Sequence, residues 1–302
     1  MDIVSLTHRI KAEIPTLDLR ENEEMRAHTS FRIGGPAAAL AVIQTPAELS
    51  ALLKILSSEG IKPQIIGRGT NLLVSDAGLS AFVIKISAPF DNMKIINTSI
   101  TAQSGASLSR LAVFAQQNGL SGLEFAHGIP GTLGGAIFMN AGAYGGEMKD
   151  IVKSVRCMTP KGEIVEYRGE DLSFSYRNSR FSEHGGIIFG AVLRLTPRSP
   201  EEILAKMNEL GEKRSASQPL NFPSAGSTFK RPKDGYAAAM IDGAGLKGFR
   251  IGGACVSKKH AGFVINDGSA SFEDVKNLMA HIQKTVFEKY GVELQPEVKI
   301  LK

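Results

Sequence analysis

The chain of 302 residues is long enough for two or three domains, each with its own hydrophobic core. Apolar residues make up 43% of it and charged residues 22%, proportions typical of a soluble globular protein. The net charge of +5 is spread along the chain, which argues against a nucleic-acid partner. No apolar run approaches the roughly 20 residues of a membrane-spanning helix, so no membrane partner is expected.

The cysteine content points to a reducing compartment. Cys157 and Cys255 are the only cysteines, and no CxxC motif occurs, so neither a disulfide framework nor a thiolate metal site is expected. The N-terminal segment is too polar for a signal peptide. The sequence therefore predicts a cytoplasmic protein without a bound metal.

The first half of the chain predicts strands and two well-marked helices. The segment Gln44–Gly60 predicts a helix in which Thr45 caps the first turn and Glu48 completes a capping box. The segment Ser107–Gly119 predicts a second helix with the same pattern. Strand-like apolar runs lie between and around them, at residues 38–44, 62–67 and 81–86.

The second half continues with strands in a run and then helices. Residues 154–159 and 163–168 flank Pro160-Lys161-Gly162, whose composition predicts a hairpin turn, and residues 186–195 predict another strand. Ser199 and Ser271 each open a predicted helix, while residues 211–234 are expected to be the least regular part of the chain. Strands in runs, without strict strand–helix alternation, favour the α+β class.

Two glycine-rich segments suggest ligand binding. In Gly67-Arg68-Gly69-Thr70-Asn71, successive N–H groups could converge on a phosphate, although a glycine hairpin without a ligand explains the residues equally well. The segment Gly128–Glu147 holds glycine at seven positions, and the close approach of backbone to a flat or phosphorylated ligand would explain that density.

A third glycine segment is rejected as a dinucleotide fingerprint. Gly243–Gly248 matches GxGxxG, but the residues before it predict a helix and those after it a strand, the reverse of what such a loop needs. The chain contains no GxSxG elbow, no HExxH pair and no P-loop. His260 is expected to be a structural or surface residue rather than a catalytic base.

The stretch Asn221–Pro232, NFPSAGSTFKRP, holds two serines and a Lys-Arg pair but no histidine. Its residues alone leave two readings open, a turn or a chemically active serine without a base.

Seven motifs in order carry a resemblance to a known family. They are HTSFRIGG (His28–Gly35), GRGTNLLVSD (Gly67–Asp76), GLEFAHGIPGTLGGAIFMNAGAYGGE (Gly122–Glu147), DLSFSYRNSRF (Asp171–Phe181), PSAGSTFKRP (Pro223–Pro232), GLKGFRIGGACVSKKHAGFVIN (Gly245–Asn266) and LQPEVKIL (Leu294–Leu301). With them the chain resembles the UDP-N-acetylenolpyruvoylglucosamine reductases, in the shorter form that lacks an extra tyrosine-bearing loop.

The resemblance implies an α+β fold with an FAD-binding domain of the vanillyl-alcohol-oxidase type. Its two α+β subdomains would span residues 1–88 and 89–200, a smaller α+β substrate domain residues 201–291, and a strand within 292–302 would return to the first subdomain. It also implies non-covalent FAD, NADPH as co-substrate and a monomer. The residues expected to contact FAD are Gly67, Arg68, Gly69, Thr70, Asn71, Pro130, Gly131, Thr132, Gly134, Gly135 and Arg214.

The implied reaction has two halves. A hydride passes from NADPH to FAD and then to C3 of the enolpyruvyl ether of a UDP-sugar, giving UDP-N-acetylmuramate for peptidoglycan. Arg177 would stabilise the charge left at C2 and its carboxylate, with a protonated Glu297 beside it, and Ser227 would protonate C2. Ser224 would be a turn residue. The residues expected to hold the substrate are Tyr176, Lys230 and Arg231, and Lys230 or a water molecule would support Ser227.

Two alternatives remain at this stage. One is a flavin-dependent oxidase or dehydrogenase of the same fold with another substrate, and the other is a non-catalytic nucleotide-binding protein.

Overall fold

The computed structural model describes residues 3–88, 90–159 and 162–302, and within it the chain forms two compact units. Unit 1 comprises Met1–Glu21, Ala39–Arg68 and Ala81–Lys213, and unit 2 comprises Asn22–Ala38, Gly69–Ser80 and Arg214–Lys302. The N-terminal third of the chain therefore contributes to both units. The expected domain boundaries at residues 88, 200 and 291 stay a prediction.

The α-helices of the described residues are α1 (Ile3–Glu13), α2 (Pro46–Ser58), α3 (Leu108–Gln117), α4 (Leu133–Phe138), α5 (Arg180–His184), α6 (Pro200–Ser217), α7 (Ala237–Gly243) and α8 (Phe272–Tyr290). Short 3-10 turns span Met25–His28, Glu124–Ala126, Met148–Asp150 and Gly169–Leu172. Across the described ranges, none of these helices has the length and apolar character needed to cross a membrane.

The predicted helix starts are confirmed by their caps. At α2 the Thr45 hydroxyl accepts from the Glu48 N–H and the Glu48 carboxylate accepts from the Thr45 N–H, both at 3.2 Å, which is the expected capping box. Ser271 caps α8 in the same way, and Gly291 ends that helix with a left-handed backbone, φ +67°.

The expectation of irregular structure from residue 211 is wrong for its first seven residues. Helix α6 continues through Gly211 to Ser217. Glu209 lies between Lys206 and Lys213 at ion-pair distances of 2.8 and 2.5 Å, and pairs at this spacing support a helix surface across a glycine. Arg214 consequently lies in the last helical turn.

The strands are β1 (Asp18–Glu24), β2 (Pro36–Ile43), β3 (Gln64–Ile66), β4 (Leu72–Val74), β5 (Leu79–Ile86), β6 (Met93–Ile96), β7 (Ser99–Gln103), β8 (Leu120–Ser121), β9 (Gly142–Ala143), β10 (Gly146–Glu147), β11 (Val152–Met158), β12 (Ile164–Arg168), β13 (Ile187–Arg194), β14 (Thr196–Pro197), β15 (Arg250–Ile251), β16 (Ala254–Val256), β17 (Val264–Asn266) and β18 (Lys299–Leu301). Of the predicted hairpin turn between β11 and β12, Pro160 and Lys161 lie outside the described residues.

Unit 1 carries two hydrophobic cores on two sheets. The four-stranded sheet has the order β1-β2-β5-β3, and helices α1 and α2 supply Ile10, Leu52 and Leu56 to its core. The five-stranded antiparallel sheet has the order β12-β11-β13-β7-β6, and α3 and α4 supply Leu111 and Ile137 to a separate core. Leucine and isoleucine at helical spacing make each of these helices amphipathic.

Unit 2 is built around helix α8 and two small sheets. Strands β15, β16 and β17 form an antiparallel sheet, and β18 pairs in parallel with β4, with Ile300 opposite Leu73. Helix α8 buries Val275, Leu278 and Ile282 in the core of this unit. Helix α7 ends at Gly243 and a strand follows, so the rejection of the GxGxxG match is confirmed.

Candidate functional site

Two of the glycine-rich segments meet within unit 1. A Cβ added at Gly67 would lie 2.5 Å from Oγ1 of Thr132, so only glycine lets the backbones come this close. Thr132 is buried, and its hydroxyl caps α4 by accepting from the Gly135 N–H at 3.4 Å. The structure therefore brings Gly67 against Thr132, two residues that the family resemblance assigns to one cofactor.

The Gly131–Gly135 loop is fixed by the segment before α3. The N–H groups of Leu133 and Gly134 donate to the carbonyls of Ala106 and Ser104, each at 2.8 Å, and the Leu108 N–H donates to the Gly131 carbonyl at 3.2 Å. These bonds hold the glycine backbone rigidly without using any side chain. They leave the outer side of the loop, where Gly135 is exposed, available to a ligand.

Ser104 is a candidate that sequence reasoning missed. It is 2% exposed, and its hydroxyl has no hydrogen-bond partner among the residues that the structure describes. A buried hydroxyl without a partner is costly, and such a group points to a ligand or an ordered water. The available signal was the small, polar run that follows β7 and precedes the Ser107 cap.

Some of the glycine density has a purely structural cause. A Cβ at Gly146 would lie 2.7 Å from the ring of Phe125, and one at Gly142 would lie 2.6 Å from the Gly146 carbonyl oxygen. Gly135 is different, because its added Cβ would meet only Thr132 Oγ1 at an ordinary 3.7 Å. Gly134 also has a structural cause, since its added Cβ would lie 2.9 Å from the Ser104 Cβ, so the ligand explanation applies to Gly135. An exposed glycine at the start of α4 fits a phosphorylated cofactor.

The remaining residues expected at FAD differ in exposure. Arg68 and Pro130 are exposed, whereas Thr70 and Arg214 are half-buried. Arg214 also accepts at its carbonyl from the Gln218 N–H at 2.9 Å, as expected at a helix end.

In unit 2, Gly69 is pressed against the His28–Ser30 backbone. Gly69 has φ +65°, and a Cβ there would lie 2.0 Å from the His28 carbonyl oxygen. The Ser30 N–H donates to the Gly69 carbonyl at 3.2 Å. The motif HTSFRIGG thus forms the support of the GRGTN loop.

Asn71 is tied to the C-terminal strand. Its Nδ2 donates to the Glu297 carbonyl at 3.1 Å, and its own carbonyl accepts from the Lys299 N–H at 2.9 Å. The backbone of Glu297 is therefore fixed to the loop that is expected to hold FAD.

Arg177 occupies the tip of a tight turn in unit 1. Ser175 and Asn178 exchange two backbone hydrogen bonds, at 3.1 and 3.2 Å, so Tyr176 and Arg177 form the two-residue loop. Arg177 has φ +53°, a conformation that glycine adopts far more readily. A strained charged residue at an irregular turn is a candidate for function.

The Arg177 guanidinium is held in place on two sides. Its Nη2 donates to the Gly142 carbonyl at 3.2 Å, and its Cζ lies 4.9 Å from the centre of the Tyr176 ring. Tyr176 itself is 48% exposed. Both residues therefore present polar groups at a surface turn, as a substrate site requires.

Asn140 anchors the Arg177 turn to the rest of unit 1. It is fully buried, its Nδ2 donates to Ser175 O at 2.9 Å and to Glu147 Oε2 at 2.7 Å, and its Oδ1 accepts from Lys149 N at 2.9 Å. Asn140 also has a left-handed backbone, as has Tyr144 at the tip of the β9–β10 hairpin. Backbone strain is thus concentrated around the Arg177 turn.

The Ser227 segment in unit 2 is held at both ends. Ser227 is exposed, and Gly226 before it has φ +77°. Thr228 after it is 1% exposed, its N–H donates to Gly262 O at 2.8 Å and its Oγ1 accepts from Val264 N at 3.0 Å. A fixed backbone beside an exposed hydroxyl suits a residue that delivers a proton.

Glu297 pairs with this segment. Its N–H donates to Thr228 O at 2.9 Å, and the Lys230 N–H donates to Gln295 O at 2.8 Å, which is an antiparallel bridge. Unit 2 therefore brings Glu297 and Lys230 into one short ladder with the neighbours of Ser227. The Lys230 ammonium has no hydrogen bond or ion pair within the described ranges, so it is available to an anion.

Arg231 is engaged with its own loop. Its Cζ lies 4.1 Å from the centre of the Tyr236 ring, and its Nε donates to Gly235 O at 3.3 Å. Tyr236 is 60% exposed, so the stacked pair forms an open, polar aromatic surface.

His260 and Cys157 have the surroundings of structural residues, because burial favours the uncharged form of each side chain. Burial lowers the pKa of His260, whose Nδ1 accepts from the Gly262 N–H at 3.1 Å. Burial raises the pKa of the Cys157 thiol, which keeps it unreactive at neutral pH. Among the described residues, no cluster of three potential metal ligands occurs.

Comparison with known proteins identifies both parts of the chain. Residues 37–168 match the family described as FAD binding domain, and residues 218–301 match the C-terminal domain of UDP-N-acetylenolpyruvoylglucosamine reductase. The expected α+β fold with an FAD-binding domain is confirmed, and its vanillyl-alcohol-oxidase type stays a prediction.

Individual proteins match over nearly their whole length. The chain is 50% identical to the UDP-N-acetylenolpyruvoylglucosamine reductase of Caldanaerobacter subterraneus subsp. tengcongensis over 98% of each sequence. It is 49% identical to that of Clostridioides difficile over 94% of this chain and 93% of the relative. The crystal structure of the reductase from Thermus caldophilus superposes with a TM-score of 0.80 at 34% identity, covering 95% of this chain and 99% of that one.

Proposed function

Since the chain belongs to the UDP-N-acetylenolpyruvoylglucosamine reductase family, we propose that it reduces the enolpyruvyl ether of UDP-N-acetylglucosamine to UDP-N-acetylmuramate with bound FAD. NADPH is the proposed hydride donor, and the product is a peptidoglycan precursor. The observation that carries the proposal is the near full-length identity of about half the residues, together with the glycine loops that fit the cofactor. Cytoplasmic location and a monomeric state stay predictions.

The cofactor is proposed to lie on the two loops that meet at Gly67 and Thr132. The rigid Gly131–Gly135 backbone supports this assignment, as does the Ser104 hydroxyl, which is buried and has no partner in the part of the chain that the structure describes. FAD held there would supply hydride transfer from NADPH to C3 of the enolpyruvyl group. The protein would bind the phosphates through backbone N–H groups other than those of Leu133, Gly134 and Gly135, which donate within the protein.

Arg177 is proposed to bind the substrate carboxylate. Hydride addition at C3 leaves negative charge on C2 and the carboxylate, and a preorganised guanidinium stabilises that charge without having to reorient. The bond to Gly142 O and the stack on Tyr176 supply the preorganisation. Glu297 is proposed to help stabilise this charge, and Tyr176, Lys230 and Arg231 are proposed to bind the substrate's phosphates and carboxylate.

Ser227 is proposed to donate its hydroxyl proton to C2 and to recover a proton from solvent. Its exposure supports this role, because a buried serine would have no proton source after turnover. A cation near Ser227 would stabilise the negative oxygen that is left when the hydroxyl proton is donated. The Lys230 ammonium is proposed as that cation. No histidine is needed, because the serine attacks no carbonyl carbon.

Anaerobic half-reactions test the proposal. The purified protein should be yellow, and NADPH should remove the colour. Addition of UDP-N-acetylglucosamine enolpyruvate without oxygen should restore the colour, while UDP-N-acetylglucosamine, which lacks the reducible double bond, should not. Recovery with oxygen alone would assign the chain to the flavin-dependent oxidases, and a colourless protein that cannot be reconstituted with FAD would rule out a flavoenzyme.

A further inference from the structure

Ser30 lies between the cofactor loop and the segment that carries Ser227, within unit 2. Its N–H donates to Gly69 O at 3.2 Å, and its hydroxyl donates to Ser224 O at 2.6 Å. One half-buried residue thus contacts two motifs that are far apart in sequence. The second bond spans 194 residues of chain.

The Ser224 end of the segment depends on few other bonds. Ser224 forms an isolated bridge with Ile265, and the Asn266 N–H donates to Pro223 O at 2.9 Å. Beyond Ser224 the chain passes through Gly226, whose φ is +77°, before Thr228 fixes it again. The Ser30 hydroxyl is therefore the side-chain contact that holds the N-terminal end of the Ser227 turn.

Ser30 also contacts the loop that is proposed to hold FAD, through its N–H bond to the Gly69 carbonyl. Gly69 is pressed onto the backbone at His28 and Thr29, with an added Cβ at 2.0 Å from His28 O and 3.1 Å from Thr29 Cα. These distances show that only glycine fits here, and the Ser30 N–H bond to Gly69 O joins the two backbones directly. A shift of Gly69 on ligand binding would therefore be passed to residues 28–30 through this bond and the close packing. Through Ser30, such a displacement would reach Ser224.

We propose that Ser30 is a positioning residue that couples the FAD-binding loop to Ser227 through the hydrogen bond from its hydroxyl to the Ser224 carbonyl. The proposal rests on the proposed function, since it assigns Ser227 the proton transfer. It predicts that the bond aligns Ser227 for delivery of its proton, with no direct contact between Ser30 and the substrate.

The test compares Ser30→Ala with Ser30→Thr, which keeps the hydroxyl, and with Ser269→Ala as the matched control. Ser269 is an exposed serine of unit 2 whose hydroxyl donates to Asp267 Oδ1 at 3.0 Å. Ser30→Ala should slow anaerobic recovery of colour by substrate about 10-fold, because a small misalignment weakens proton transfer. Bleaching by NADPH and the dissociation constant for FAD should change less than about 2-fold. Ser30→Thr and Ser269→Ala should behave like the unaltered protein.

A double-variant cycle separates positioning from a general structural effect. In the Ser227→Ala background, Ser30→Ala should change the rate of colour recovery less than about 2-fold, since the group being aligned is gone. Hydrogen exchange of the unliganded protein should show faster exchange of residues 223–228 in Ser30→Ala only. Ser30→Cys, with a weak donor of similar size, should give an intermediate rate, which keeps the test valid if threonine does not fit.

Three results would overturn the coupling. The first is an unchanged rate of colour recovery in Ser30→Ala, and the second is equal slowing of bleaching and recovery. The third is a double variant whose recovery rate is lowered by the product of the two single-variant factors. Failure of the proposed function is distinct from these, because then the unaltered protein itself would not recover its colour with the substrate.

Discussion

The Arg177 turn and the Ser227 turn carry the two proposed catalytic groups, but they are held by different kinds of interaction. The Arg177 turn closes on itself through Ser175 and Asn178, and its backbone is strained. The Ser227 turn is held by Ser30, Gly262, Val264 and Glu297, which come from distant parts of the chain. Asn140 and Gly142, each 35 residues from their partners, also anchor the Arg177 turn, so both turns need tertiary contacts. The difference is that the Arg177 turn also has its own pair of backbone hydrogen bonds, whereas the contacts that hold the Ser227 turn come from other segments.

The largest expected effect is at the Ser227 turn. Ser227→Ala should leave bleaching by NADPH unchanged and slow colour recovery by substrate ~10²–10⁴-fold, the usual loss when a general acid is removed. Stopped-flow absorbance under anaerobic conditions measures both rates. Ser224→Ala removes a hydroxyl from the same segment but keeps the proposed proton donor, so it serves as the control. An unchanged recovery rate in Ser227→Ala would remove this serine from the mechanism.

The next prediction is that a change at Arg177 lowers the rate of colour recovery but leaves the free energy of unfolding nearly unchanged. Arg177→Gly should slow colour recovery by about 10²-fold, because one preorganised charge is lost. Its free energy of unfolding should change by less than about 1 kcal/mol, since relief of the left-handed backbone offsets the lost bond to Gly142. Urea denaturation and stopped-flow rates measure the two quantities. Arg177→Lys, which keeps the charge, is the control, and a large loss of stability in the glycine variant would show that the turn is not strained.

A matched pair of buried asparagines tests the anchoring of each turn. Asn140, fully buried, bonds to Ser175 O, whereas Asn266, 3% exposed, donates through Nδ2 to Phe31 O at 2.9 Å. Replacement of either by alanine should lower the free energy of unfolding by about 3 kcal/mol, because buried partners lose their hydrogen bonds. Calorimetry measures this loss.

The two asparagine variants should differ in the substrate step. Colour recovery in Asn140→Ala should require more substrate and also reach a lower limiting rate, because Arg177 is proposed both to bind the carboxylate and to stabilise the charge left by hydride addition. Asn266→Ala should lower the limiting rate at an unchanged substrate requirement, because it frees Phe31, the neighbour of the Ser30 that holds Ser224. If Asn266→Ala also raised the substrate requirement, the division of labour between the turns would be refuted.

The smallest expected effect is a loss of stability at acidic pH that arises at His260. This histidine bonds to Gly262, whose carbonyl holds the Ser227 turn through the Thr228 N–H. Burial lowers the pKa of His260 below its ordinary value of 6.5, so the unfolded chain takes up a proton at a higher pH than the folded one. Stability from this group is therefore present above pH 6.5 and is lost as the pH falls from there through the folded pKa. His260→Gln should reduce the fall in melting temperature below pH 6.5. His184→Gln, at an exposed histidine, should leave it unchanged.

Much of the fold followed from local sequence. The capping boxes at Thr45 and Ser271 predicted helix starts correctly, because a cap and its partner lie within four residues. The end of α6 was missed, since Gly211 suggested a break that the Glu209–Lys213 ion pair spans. The roles of Arg177, Ser227 and Glu297 came from family resemblance, and these roles stay predictions.

Neighbouring residues and ordered motifs are enough to predict the starts of α2 and α8, several of the strands, the glycine segments and the family. Long-range packing, by contrast, brings Thr132 to Gly67, buries the Ser104 hydroxyl without a partner among the described residues, and places Ser30 at Ser224. Such contacts join residues up to 194 positions apart. Their hydrogen bonds depend on how whole elements pack, which no local pattern records.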